Sequence, residues 1–248
     1  AYLPAGVVGV ADLSFLVALW AVIFREIVAG KKWANLPVLI LLALFIAADA
    51  LFHLEAVQGG SASQGYGLRL GLGVALVLIM LIGGKVTPSF TRNWLVKRGD
   101  TVLPTPPMQR YDKAVIVVSA ATLLAWVARP DAGLVGAALL IIAGLHSVRL
   151  WRWQGVRALA EPLVWVLHAG YAFVPLGALA VGVSILFPAT ISTAAALHVW
   201  TAGAIGLMTL GVMTRASLGH SGRALHAGAG TTCLYAAVIG AVITRLAA

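Results

Sequence analysis

PLVWVLHAGYAFVPLGALAVGVSILF, residues 162–187, runs for 26 positions without an Asp, Glu, Lys or Arg. As a helix at ~1.5 Å per residue it crosses a hydrocarbon core ~30 Å thick with length to spare. Only His168 interrupts it with an ionisable group, and Pro175 with a missing donor. The stretch is too long for a buried strand and too apolar for a helix that shows one face to water.

The rest of the chain repeats that pattern. Of 248 residues, 61% are hydrophobic and 10% charged. Soluble domains carry about 25% charged residues, so lipid must solvate most of this surface. Apolar runs between charge, Pro and Gly clusters predict eight spans, at 4–29, 36–57, 67–84, 113–129, 132–150, 162–187, 191–217 and 225–246. The expected architecture is an all-α, polytopic transmembrane helix bundle forming a single domain over 1–248. Long unbroken runs disfavour a transmembrane barrel. The Pro-rich connection from Lys85 to Asp112 reads as an interfacial loop, with at most a short helix near Phe90–Val96.

Eight spans place 14 of the 17 Lys and Arg on one face, leaving Arg69, Arg129 and Arg245 on the other. The basic face is expected in the cytoplasm of a multi-pass plasma-membrane protein, with both termini outside. The net charge of +9 is accordingly read as loops facing anionic lipid, with no nucleic acid partner. The lone cysteine, Cys233, excludes an intrachain disulfide, a Cys-based zinc site and c-type haem attachment. Phosphate-loop, H-E-x-x-H and dinucleotide signatures are missing from the sequence.

Ionisable groups inside spans mark function by default. Asp12, Asp49, His53, Glu55 and His198 fall toward one end of their spans; His146, His168, His220 and His226 fall toward the basic end, near Arg215. Neutral imidazole is cheap to bury and binds haem iron, copper and zinc. By depth, His53 matches His198, and His168 matches His220 or His146; hydrogen bonding across helices is the plainer account of each. Asp49 sits one turn before His53, either to orient the ring of a metal-bound His53 or only to satisfy two buried polar groups by a pairwise hydrogen bond. Met208 and Met213 offer sulfur to Cu(I) or fill gaps. Arg92 and Arg215 are candidates for a haem propionate or a lipid phosphate. Small-residue pairs, Gly67 with Gly71 and Ala236 with Gly240, are expected at close helix contacts, and Gly203, Gly206 and Gly211 at packing or against a flat ligand.

Four blocks carry a family resemblance: AALHVWTAGAIGLMTLGVMTRASLGHSGRAL at 195–225, GGKVTPSFTRN at 83–93, EPLVWVLHAGY at 161–171 and FHLE at 52–55. Together they resemble the NnrS family across nearly the whole chain. The resemblance implies a bacterial inner-membrane protein containing haem b and copper, with a role in tolerance of nitric oxide and nitrosative stress, often beside denitrification. Nitric oxide and membrane lipids are the implied partners. His53, His168, His198 and His220 fall in matching blocks and are the implied metal ligands, ahead of His146 and His226; Arg92, Asn93, Arg215 and Ser217 also match. Family members are generally longer, with about twelve spans, so the chain is read as a C-terminal portion or a shortened member. A b-type cytochrome and a transporter without a redox centre are the alternatives, the latter resting on Asp12, Asp49 and Pro175.

Overall fold

The computed structural model describes residues 5–60 and 64–247; Pro4, the first residue of the first expected span, lies outside them. Helices α1 (Ala5–Ala29), α2 (Leu36–Val57), α3 (Tyr66–Leu78), α4 (Gly84–Lys97), α5 (Arg110–Ala128), α6 (Gly133–Arg152), α7 (Pro162–Leu186), α8 (Thr193–His198), α9 (Met208–His220) and α10 (Ala229–Ala247) follow in order. Two π segments, Ile79–Gly83 and Val199–Leu207, join α3 to α4 and α8 to α9. No strand occurs among the described residues. Among the described residues, eight helical stretches are long and apolar enough to cross a membrane. The protein is all-α and polytopic.

The third span departs from expectation. It runs unbroken from Tyr66 to Lys97, so the segment read as loop from Lys85 is helix. The polar run GKVTPSFTRN looked like a solvated connection, yet Thr87, Pro88 and Thr91 are buried. Its hydroxyls bond back along the helix, Ser89 Oγ to Lys85 O (2.6 Å) and Thr91 Oγ1 to Thr87 O (2.9 Å). Polarity here points inward; Ser89 and Thr91 satisfy their own hydroxyls, while the buried Thr87 Oγ1 has no partner among the described residues.

The chain divides into two compact units. The first takes the residues up to Leu78 with Leu123–Ala128, and the second Ile79–Thr122 with Arg129 onward. In the first, Glu55 caps α3, its carboxylate accepting from Tyr66 N (2.8 Å) and Gly67 N (3.2 Å). Gly67 is needed there: a Cβ would lie 2.4 Å from Phe52 N, whereas at Gly71 it would meet only ordinary contacts. Arg69 closes the end of α5 by donating to Val127 O (3.2 Å).

The second unit is built on α6 against α7. Gly182 lies so close that a Cβ would sit 3.0 Å from Gly136 O. Gly177 accommodates the Trp200 ring, whose Nε1 donates to Val174 O (3.0 Å). Gly203 packs on Phe173 and Gly211 on Val166, so side chains of α7 occupy those positions. Around Gly240 a Cβ would meet nothing within 4 Å.

Candidate functional site

Two polar centres lie inside the second unit. The larger is built by α5, α6, α7 and the π segment before α4. Arg149 is fully buried, and its Nε donates to Asp112 Oδ1 at 2.8 Å. Nη1 donates to Met80 O (2.9 Å) and to the Tyr171 hydroxyl (2.6 Å), while Nη2 approaches Met108 Sδ at 3.8 Å. Met80 lies in the π segment, where the widened turn displaces the regular i→i−4 ladder and Arg149 reaches a carbonyl. Gly84 makes room, since a Cβ there would sit 2.1 Å from Nη2. The Trp153 and Tyr171 rings flank the guanidinium at 5.2 and 5.6 Å.

From Tyr171 the chain of bonds has a direction. Ser119 Oγ gives its proton to Val115 O (2.8 Å), so toward His146 Nε2 (2.9 Å) it accepts. That assigns the proton to Nε2 and leaves Nδ1 to accept from the Tyr171 hydroxyl at 2.9 Å. Both ring nitrogens of His146 are thereby used. Sequence reasoning had assigned Arg149 to the basic face and ranked His146 low. The missed signal is spacing: His146 and Arg149 are i, i+3 on one face of a span, as are His168 and Tyr171 on the next.

The second centre surrounds His168, which is also buried. Thr91 Oγ1 spends its proton on Thr87 O, so it accepts from His168 Nε2 at 2.7 Å. Nδ1 then carries the lone pair, and among the described residues this buried atom has no partner. A Cβ on Gly155 would fall 2.4 Å from it, so only a glycine lets the strap pack this close to the nitrogen. Gly155 belongs to a strap turned by Gln154, which takes a left-handed conformation at φ 52°. Beside the ring lies a mostly apolar cavity of about 570 Å³, walled by Leu150, Trp151, Trp165, Pro175 and Leu176 among others. The Trp153 ring stands edge-on to His168 (6.3 Å) and to Tyr171 (4.5 Å), linking the two centres through one buried tryptophan.

The other expected ligands have surroundings of their own. In the first unit, His53 Nε2 faces Asp12 Oδ2 at 3.1 Å, with Asp49 Oδ1 farther off at 3.8 Å. The partner fixing the ring is therefore Asp12 on α1, not the i−4 residue Asp49. His198 bonds Ala194 O through Nδ1 (2.8 Å), and His220 and His226 are exposed. Arg92 donates to Pro104 O and pins the connection after α4. Arg215 is half-buried, its guanidinium stacked on Phe90 at 3.9 Å. Met208 is buried between Gly83 and Gly170, and Met213 is exposed.

Haem and copper fare differently against this geometry. A buried imidazole with a bare lone pair, its other nitrogen anchored to a hydroxyl, and a pocket of ligand size are what a haem-binding histidine requires; His168 fits. Copper finds no equivalent, because among the described residues no group of three or more His, Cys, Asp or Glu could hold a metal ion.

Neither the curated proteins nor the solved structures returned a match. The family model described as NnrS protein matches residues 1–248, the whole chain. The chain therefore belongs to the NnrS family.

Proposed function

We propose that this chain is a bacterial inner-membrane protein of the nitric oxide response that holds a haem b on His168. The observation that carries the reading is the buried, unpartnered Nδ1 of His168, a residue that also lines an apolar cavity. Membership of the NnrS family supports the role in nitric oxide tolerance. Haem iron, when bound, supplies a coordination position for a small diatomic gas.

The chain's own residues have separable tasks. Thr87 O orients the Thr91 hydroxyl, and Thr91 holds the Nε2 proton, which fixes the tautomer that presents Nδ1 as a lone pair. Gly155 keeps side-chain atoms off that nitrogen. Leu150, Trp165, Pro175 and Leu176 would offer apolar walls to a porphyrin. A neutral imidazole in such surroundings avoids the cost of burying a charge.

The test is spectroscopic. The purified protein, supplied with haem and reduced, is expected to show a Soret band that shifts when nitric oxide is added. A band that is absent, or present and unmoved by the gas, contradicts the reading.

A further inference from the structure

A separate cleft at the basic end of the second unit shares no lining residue with the His168 cavity. One face of α4 forms its floor through Phe90, Asn93, Trp94 and Lys97, which recur at helical spacing. Glu161 and Val164 from the start of α7, Arg215 from α9 and Leu225 complete it, around a space of about 80 Å³.

The donors in this wall outnumber the acceptors. Arg215 has one face of its guanidinium on Phe90, which leaves the in-plane N–H fork free. Among the described residues, neither Arg215 nor Lys97 has a carboxylate within 4.0 Å. Trp94 Nε1, which can only donate, is buried and has no acceptor among them. The one carboxylate in the wall is Glu161; its Oε1 caps α7 through Leu163 N at 3.2 Å, and its charge acts on Arg215 from beyond ion-pair distance. A guanidinium inside a membrane-length helix and a buried indole N–H are each costly when unsatisfied. The positive end of the 25-residue α7 adds a field of the same sign.

A single acceptor-rich anion in the cleft that both residues line would offer an acceptor to each donor. The space exceeds the roughly 30 Å³ share of one water and is far too small for a macrocycle. A tetrahedral oxyanion matches it. Arginine binds phosphate through two parallel N–H donors, and the cleft is lined from the last turns of α4, the start of α7 and the last turns of α9, the helix ends at which a spanning bundle would meet phospholipid phosphates. We infer that the cleft between α4, α7 and α9 is a binding site for a phosphate group, gripped by Arg215 and Trp94 with Lys97 at its mouth. The inference is independent of haem, and either stands or falls without the other.

The whole chain, purified in a neutral detergent, is offered two probes: inorganic phosphate by calorimetric titration, and phosphatidylglycerol by native mass spectrometry after washing. Controls carry phosphatidylcholine alone. Wild type is expected to bind one phosphate group per chain. R215Q is expected to weaken binding about tenfold or more, because it removes charge-assisted bonds. R215K, which keeps the charge and loses the fork, and W94F, which loses one donor, are expected to weaken it about threefold each. Circular dichroism verifies that each variant is folded, and the milder two decide the matter should R215Q not fold. Binding of phosphatidylglycerol alone identifies a lipid headgroup as the source, and binding of inorganic phosphate as well identifies the free anion. No binding of either probe by wild type, or equal binding by wild type and the folded variants, overturns the proposal.

Discussion

The Arg149 centre and the His168 centre share Trp153 as a neighbour and differ in one respect. Around Arg149 the polar atoms are matched: the guanidinium has Asp112, Met80 O and Tyr171, and His146 has Tyr171 and Ser119. Around His168 one ring nitrogen is matched by Thr91 and the other lies against Gly155 with no hydrogen-bond partner among the described residues. In a low-dielectric interior a saturated network holds helices in register, and an unsatisfied lone pair beside a cavity is what a ligand can use. A histidine's burial alone does not separate the two roles. Its remaining valence does.

The contrast breaks most visibly at Arg149. R149L leaves the Asp112 carboxylate buried without its guanidinium, and it is expected to cost about 3–5 kcal/mol of stability, read as a lower unfolding midpoint in detergent. The double variant D112L/R149L is expected to lose less than that, because no uncompensated charge remains. A single variant as stable as wild type would show that the network is not closed. Tyr171→Phe comes next: it takes an acceptor from Arg149 and a donor from His146, for about 2–3 kcal/mol in the same assay.

Gly155→Ala sharpens the other side. Its methyl group would occupy the position 2.4 Å from His168 Nδ1, and a short strap can yield, so about 1–2 kcal/mol is expected, near the low end for overpacking. Haem uptake should fall out of proportion to that modest cost, measured as the Soret-to-protein absorbance ratio. Unchanged uptake would mean that the space beside Nδ1 is not used. The smallest effect is expected in the first unit. Asp49 Oδ2 is buried without a donor, and Asp49 Oδ1 is too far from His53 to hydrogen-bond. Asp49→Asn should therefore change stability by no more than about 0.5 kcal/mol, and a large loss would restore Asp49 as the partner of the ring.

The helices were readable wherever apolar length alone decided the matter, as in 162–187 and 36–57. Reading failed at 85–97, because a helix that turns Thr87 and Thr91 inward has the composition of a loop, and periodicity cannot tell which side of a polar face meets water. Among site residues, His168 was accessible through a matched sequence block and its place inside a span. Its tautomer was not, since that depends on Thr91, far away in sequence, and on the further bond from Thr91 to Thr87 O. Arg149 was legible as a charge near a helix end and illegible as a buried one, because its counterion Asp112 comes from another span.

Haem content of His168→Ala beside His146→Ala puts the distinction to its most direct trial. Both substitutions delete a buried imidazole from the same unit, and only one deletes a ring nitrogen without a partner. The account predicts that His168→Ala, still folded and membrane-inserted, loses the haem absorbance, while folded His146→Ala keeps it. Haem retained by His168→Ala, or lost equally from both, would contradict it.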